Sequence, residues 1–150
     1  MTLVIRRAQD RDLPALIKLL AQLSLGEARE DPSAITAYET AFAAIDADER
    51  QSLLVAAVDG SVVGTAAFIL VPNLSHVGRP YAVVENVVVD SAVRGKGIGE
   101  TLMRRAIELA REAGCYKLAL TSNRHRLEAH RFYERLGFRA THLGFRLDFA

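Results

Sequence analysis

Ala82-Val83-Val84-Glu85-Asn86-Val87-Val88-Val89, separated by four residues from Arg94-Gly95-Lys96-Gly97-Ile98-Gly99-Glu100, decides how this chain folds. The first block is dense in β-branched residues, which predicts a buried strand. Beyond the glycines, Ile98, Leu102, Ala106, Leu109, Ala110 and Ala113 recur at helical spacing, with Glu100, Arg104, Arg105, Glu108, Arg111 and Glu112 on the other face. A glycine-rich turn therefore links a strand to the N-terminus of a long amphipathic helix. Glycine lets backbone N–H groups approach an anion closely, and the helix dipole favours negative charge there. Arg94 and Lys96 add two cations. The expectation is a cradle for a phosphate or pyrophosphate.

Two common cradles are excluded by spacing. A Walker loop requires Gly-x-x-x-x-Gly-Lys-Ser/Thr, but Asp90 stands where its first glycine belongs and Gly97 where its hydroxyl belongs. A dinucleotide fingerprint requires Gly-x-Gly-x-x-Gly near a first strand, but Gly95 and Gly97 are followed by Glu100, and the motif lies far along the chain. The pattern Arg94-x-x-Gly97-x-Gly99 instead resembles the pyrophosphate signature of the GNAT superfamily of coenzyme A-dependent N-acetyltransferases. Downstream, Lys117-Leu118-Ala119-Leu120-Thr121-Ser122 reads as a strand, and Ala129-His130-Arg131-Phe132-Tyr133-Glu134-Arg135-Leu136-Gly137-Phe138 resembles the superfamily's closing helix. The order and interval of the two motifs match as well.

The rest of the chain is consistent with that fold. Leu3 to Arg6 predicts a first strand, and Asp10 or Asp12 can cap a helix to about Leu23 with Leu13, Leu16, Ile17, Leu20 and Leu23 as its stripe. A second helix is expected over Ile35 to Ile45. Leu53–Val58 and Val62–Val71 are expected strands joined at Asp59-Gly60, a tight hairpin signal. A last helix should run from about Leu127 to Leu136 and stop at Gly137, with short strands at Arg139–His142 and Gly144–Asp148. Together these predict one α/β (α+β) domain over residues 1–150: a mixed, mostly antiparallel twisted sheet with helices on both faces.

Composition bounds the function. Half of the 150 residues are hydrophobic, enough for one core, and the net charge of +1 gives no basic field for nucleic acid. No apolar run reaches membrane-span length, and the N-terminus turns polar too soon for a signal peptide, so a cytoplasmic protein is expected. A single cysteine, Cys115, excludes internal disulfides and reads as an inert thiol. His76, His125, His130 and His142 show no metal-ligand spacing, so no metal is expected.

The resemblance implies acetyl-coenzyme A as co-substrate and acetyl transfer to a primary amine by direct attack in a ternary complex. An alkyl ammonium has a pKa of about 10.4 and a thiol about 8.5, so amine and leaving thiolate both need proton management. It implies that Val87, Val88 and Val89 pair with pantetheine through their backbone, and that Arg94, Gly95, Lys96, Gly97, Ile98, Gly99 and Glu100 hold the pyrophosphate. It implies Tyr133 as the acid for the departing thiolate, although Ala129, Phe132, Tyr133 and Leu136 also form an apolar stripe in which Tyr133 would be a core aromatic. Glu85, a carboxylate in an apolar strand, is the candidate base; an inter-strand ion pair or substrate orientation are its other readings. Asn86, the next residue, is expected on the opposite face. Arg126 replaces the family's pantetheine-binding asparagine, a role open to Ser122 or Asn123.

Glu27, Glu30 and Asp31 could attract a cationic acceptor or form a solvated face. Local similarity around Glu85 and Gly114-Cys115-Tyr116-Lys117 to the glucosamine-6-phosphate N-acetyltransferases implies a small-molecule amine. Protein or peptide acetylation, and a non-catalytic coenzyme A-binding regulator, are the alternatives. No nucleic-acid or membrane partner is expected, and a homodimer is compatible with the C-terminal strands.

Overall fold

Asp59 and Gly60 both adopt positive φ, 49° and 86°. Such a pair makes the two-residue hairpin turn whose twist matches the flanking strands. It joins β2 (Gln51–Val58) to β3 (Ser61–Val71), with Val58 opposite Ser61. Around this hairpin a computed structural model describes residues 1–24 and 29–149, in two compact units, Met1–Ala119 and the chain from Leu120 onward.

In the first unit, β1 (Leu3–Arg7) pairs antiparallel with β2, and β4 (Tyr81–Val89) antiparallel with β3. β5 (Leu118–Ala119) is parallel to β4, giving the order β1-β2-β3-β4-β5. The mixed sheet is thus the expected one. Four successive residues of β2, Leu54, Val55, Ala56 and Ala57, are buried, and because neighbours point to opposite faces, both faces of the sheet are covered. One cover comes from α1 (Leu13–Ala21) and α2 (Ile35–Ala47), whose Leu13, Leu16 and Phe42 form one cluster with Ala8 and Val55. A single left-handed turn, α3 (Ser75–Gly78), lies before β4, and α4 (Ile98–Glu112) packs along β1 to β4 through buried Ile98, Leu102, Met103, Ala106 and Ala110. The second unit contains α5 (Leu127–Arg135).

Three expectations are corrected. Asp12 does not cap α1 forward; its carboxylate turns back, accepting from the Gln9 N–H at 2.7 Å and from both Arg6 guanidinium nitrogens at 2.7 and 2.9 Å. Because α1 stops at Ala21, Leu19 is buried and Leu23, beyond the end, is only half-buried. Ala113 likewise falls past the end of α4 and is exposed, while Met103 joins the core. Finally, β5 is two residues long and neither Arg139–His142 nor Gly144–Asp148 forms a strand. Alternation makes a segment able to pair, but a strand also needs a neighbour.

Candidate functional site

The parallel ladder between β4 and β5 covers only Ala82–Leu118 and Val83–Ala119. From Val84 to Val89, β4 runs past its last pair with β5. Against β3 the register jumps: Ala67 opposes Glu85, but Thr65 opposes Val88, so Asn86 and Val87 share the single residue Ala66. This is a β-bulge, and Asn86 sits in it at φ 54°. Glu85 and Asn86 at this irregularity are both exposed, between buried Val84 and Val88. Exposure solvates the Glu85 carboxylate, and it has no ion pair among the described residues.

Downstream, Gly95 (φ 83°) and Gly97 (φ 75°) take left-handed backbone that other residues adopt with strain. A Cβ at either would meet nothing within 4 Å, so the turn is open above both glycines. Gly99 lies inside the first turn of α4, and Ile98, 2% exposed, anchors that turn in the core. Ile98, Gly99 and Glu100 have no residue four back in the helix to accept from them, and the first bond at this end runs from the Thr101 N–H to the Gly97 carbonyl at 3.1 Å. Arg94 Nε donates to the Val89 carbonyl at 3.0 Å, tying the turn to the end of β4, while Lys96 is exposed. Glu100 is paired with Arg104 at 2.7 Å.

Sequence reasoning missed Gln22, just past α1. Its Oε1 accepts from the Ser91 N–H at 3.0 Å, and its Nε2 donates to Asp90 Oδ1 at 3.4 Å. Asp90 Oδ1 also accepts from the Ala92 N–H at 3.1 Å. Gln22 thus clasps the segment between β4 and the glycine turn. Nothing local in sequence signals a bond between residues so far apart.

In the second unit, Tyr133 is 8% exposed, its ring 5.2 Å from Phe132 and 5.9 Å from Phe138. Burial pushes its hydroxyl pKa up, with a smaller opposing effect of Arg126. The Ser122 hydroxyl is buried with no partner among the described residues. Asn123 is engaged: its Oδ1 accepts from the His125 N–H at 2.9 Å and its carbonyl from His130 Nε2 at 2.8 Å. His130 is therefore half-buried and occupied, whereas His125 is exposed.

Among the acidic candidates for the acceptor, Glu27 lies outside the described residues. Glu30 accepts from the Tyr38 hydroxyl at 2.9 Å, and Asp31 accepts from the Ser33 hydroxyl at 2.6 Å and its N–H at 3.0 Å. The Ser33 donors hold the Asp31 carboxyl below its ordinary pKa. Both acids are thus engaged in local structure before α2. Desolvation raises the Cys115 thiol, which keeps it protonated and poorly nucleophilic at neutral pH.

Residues 14–138 match the profile of the acetyltransferase (GNAT) family. The chain is 30% identical over 141 residues to the aminoalkylphosphonate N-acetyltransferase of Salmonella typhimurium, covering 94% of this chain and 88% of that one. It is 42% identical over 89 residues to the glucosamine 6-phosphate N-acetyltransferase of Trypanosoma brucei brucei; this match spans 59% of the chain and only 58% of that relative's length. Among solved structures, a transcriptional regulator from Bacillus halodurans C-125 superposes with a TM-score of 0.93 at 38% identity, over 99% of this chain and 100% of that one. The bulged strand, the glycine turn and the helix behind it thus come with a family: the chain belongs to the acetyltransferase (GNAT) family.

Proposed function

We propose that the chain transfers the acetyl group of acetyl-coenzyme A to the primary amine of a small molecule, by direct attack of the amine in a ternary complex. The observation that carries this reading is the junction of β4 and α4. There a strand edge without a ladder leads into a turn open above Gly95 and Gly97, and then into unpaired N–H groups at the start of α4. Extended amides add to a strand edge as a further strand would. A pyrophosphate takes the N–H donors of a helix N-terminus. The residues present therefore fit the co-substrate, which supplies an activated thioester when bound.

In this reading the backbone of Val87, Val88 and Val89 holds the pantetheine, one N–H serving as oxyanion donor. Arg94 to Glu100 hold the pyrophosphate mainly by N–H groups, with Lys96 as the cation that has no ion pair among the described residues. Ser122, whose hydroxyl lacks a partner among the described residues, is favoured over the engaged Asn123 as replacement for the asparagine absent at Arg126. Glu85 accepts the proton of the attacking amine, directly or through water, as the C–N bond forms and the C–S bond breaks. Tyr133, kept protonated by burial, gives its proton to the departing sulfur. The Trypanosoma and Salmonella relatives are named for amines that also carry phosphate or phosphonate. An amine of that kind is the proposed acceptor.

The test is thiol release from acetyl-coenzyme A with amino-sugar phosphates, aminophosphonates, polyamines, amino acids and peptides. Turnover with the phosphorylated amines is expected. Turnover with peptides alone moves the acceptor to proteins. The name of the Bacillus halodurans neighbour favours a second reading, a coenzyme A-binding regulator; tight coenzyme A binding without any turnover would select it. Neither binding nor turnover overturns both.

A further inference from the structure

His76 and Val77 both take left-handed backbone, φ 57° and 58°, in the single turn α3 between β3 and β4. Glycine reaches this region freely, but a β-branched valine there is an outlier. Strain of this kind persists only where the surroundings over-determine it. The apolar residues of the turn do not hold it, since Leu74 and Val77 are 96 and 101% exposed. Two other contacts do. Asn73 Nδ2 donates to the Ser75 carbonyl at 3.1 Å and to the Arg79 carbonyl at 3.3 Å, closing the loop across its neck. The His76 ring lies flat on Tyr116, centroids 3.7 Å apart and planes 12° from parallel. What the strained turn delivers is thus a ring on Tyr116.

Tyr116 stands at the closed end of the β4–β5 junction. Its N–H donates to the Pro80 carbonyl at 3.0 Å, and the Ala82 N–H to the Lys117 carbonyl at 3.1 Å. The pairs Ala82–Leu118 and Val83–Ala119 follow, and there the ladder stops. Side chains join this end too. Tyr81 meets Tyr116 edge-on at 6.3 Å, and Lys117 Nζ lies 5.1 Å from the Tyr81 centroid and 5.4 Å from that of Tyr116. Among the described residues Lys117 has no ion pair, so the two ring faces are the negative surface its ammonium meets.

We infer that His76, Tyr81, Tyr116 and Lys117 form a clamp that fixes where β4 and β5 part, and thereby the fit of the pantetheine arm to the free edge of β4. The inference rests on the proposed use of that edge. Parallel pairing is the weaker kind per residue, and two rungs of it have little hold of their own. A slip of β5 by one residue would turn it over and carry the Lys117 ammonium to the other face, away from the rings. Fraying from Tyr116 would let β5 swing and change the width of the opening. Ring stacking and the ammonium oppose both movements at the end where they would start. The clamp acts at a distance. Tyr81 and Val89 are the two ends of a nine-residue strand, roughly 25 Å apart at about 3.3 Å per residue, and the glycine turn lies beyond Val89. These four are positioning residues for pantetheine, and the pyrophosphate cradle is indifferent to them.

The experiment is calorimetric titration of the full chain with coenzyme A and with ADP, which carries the pyrophosphate without the pantetheine. The unaltered chain binds coenzyme A the more tightly. Tyr116→Ala removes the ring that His76 and Lys117 share; it weakens coenzyme A binding about tenfold and leaves ADP binding unchanged. Tyr116→Phe keeps the ring and binds both ligands as the unaltered chain does. His76→Gly removes the stack and relieves the left-handed strain without touching either strand. It weakens coenzyme A binding selectively as well, so the test stands even where Tyr116→Ala does not fold. Coenzyme A binding untouched by both variants overturns the clamp, and so does an equal loss for the two ligands, which a merely structural role would produce. Either result leaves the proposed function standing. An unaltered chain that binds neither ligand overturns the reading of the site, and the clamp with it.

Discussion

Asp12 shows how much one carboxylate can organise. It is 5% exposed, satisfies the Gln9 N–H and takes both nitrogens of Arg6, fixing the exit of β1 onto α1. The Arg6 guanidinium, chiefly by hydrogen bonding, holds the Asp12 carboxyl below its ordinary value. A carboxyl lowered on folding contributes stability above its unfolded pKa, about 3.9, and loses it as the pH falls through the lower folded value. Asp12→Asn should therefore cost about 2 kcal/mol at neutral pH and flatten the acid limb of stability, measured by urea denaturation from neutral to strongly acidic pH. An unchanged acid limb would show that another carboxylate governs it. Tyr133 is shifted the other way, upward by burial, which keeps its proton available across the neutral range. Tyr133→Phe should lower kcat on the order of 10²-fold with little change in coenzyme A affinity; full activity would return the ring to a packing role beside Phe132 and Phe138. Tyr133 and Glu85 stand out in the sequence as candidates because their neighbours form recognisable motifs. The left-handed Asn86 was not, because a bulge is set by the register of two strands and β3 lies elsewhere in the chain.

At the scale of elements, α4 and α5 end alike. Gly114 (φ 74°) and Gly137 (φ 99°) follow the last helical turns, and the next residue's N–H reaches back to a carbonyl of the helix, Cys115 to Ala110 at 3.0 Å and Phe138 to Tyr133 at 3.1 Å. The glycine N–H groups bond Arg111 and Glu134, each at 3.0 Å. This is the Schellman arrangement, and in α5 it brings Phe138 against Tyr133, the apolar contact that commonly closes it. Space is open at both glycines, so alanine would pay only for its left-handed backbone. Gly114→Ala and Gly137→Ala should each lower stability by about 1 kcal/mol, read from thermal midpoints; no loss at either would mean the chain relaxes out of the left-handed turn. Such helix stops are legible in sequence because one residue type serves them. The Gln22 clasp was not legible, as glutamine has no characteristic place in a motif. Under the proposed function it holds the segment leading to the glycine turn, so Gln22→Ala should raise the KM for acetyl-coenzyme A severalfold and leave kcat nearly unchanged. A fall in kcat at constant KM would assign Gln22 to the chemistry instead.

For the molecule as a whole, stability should be uneven between the two units. β2 and β3 are the middle of the antiparallel sheet, and β2 is buried on both faces, so their amides should open only with global unfolding. The chain from Leu120 has one nine-residue helix and no strand among the described residues. Segments shorter than roughly 40 residues seldom hold a fold alone, so α5 should exchange through cheaper openings. The β2–β3 hairpin and the parallel crossover from β4 to β5 were legible because a two-residue turn and a strand–helix–strand unit announce them locally. The missing terminal strands were not, because Leu143 to Phe149 carry the pattern of a strand and pattern alone says nothing about who pairs with it. Hydrogen exchange with and without coenzyme A brings these points together. Saturating ligand at about a hundred times its dissociation constant adds about 2.7 kcal/mol to any opening that abolishes binding. Amides at the start of α4 should slow by that amount under the proposed function. If Ser122 and Tyr133 have the roles proposed for them, the amides of α5 should slow with them. Protection confined to the glycine turn would leave the pyrophosphate cradle standing and remove the second unit's residues from cofactor binding, whereas no protection at the turn would remove the cradle itself.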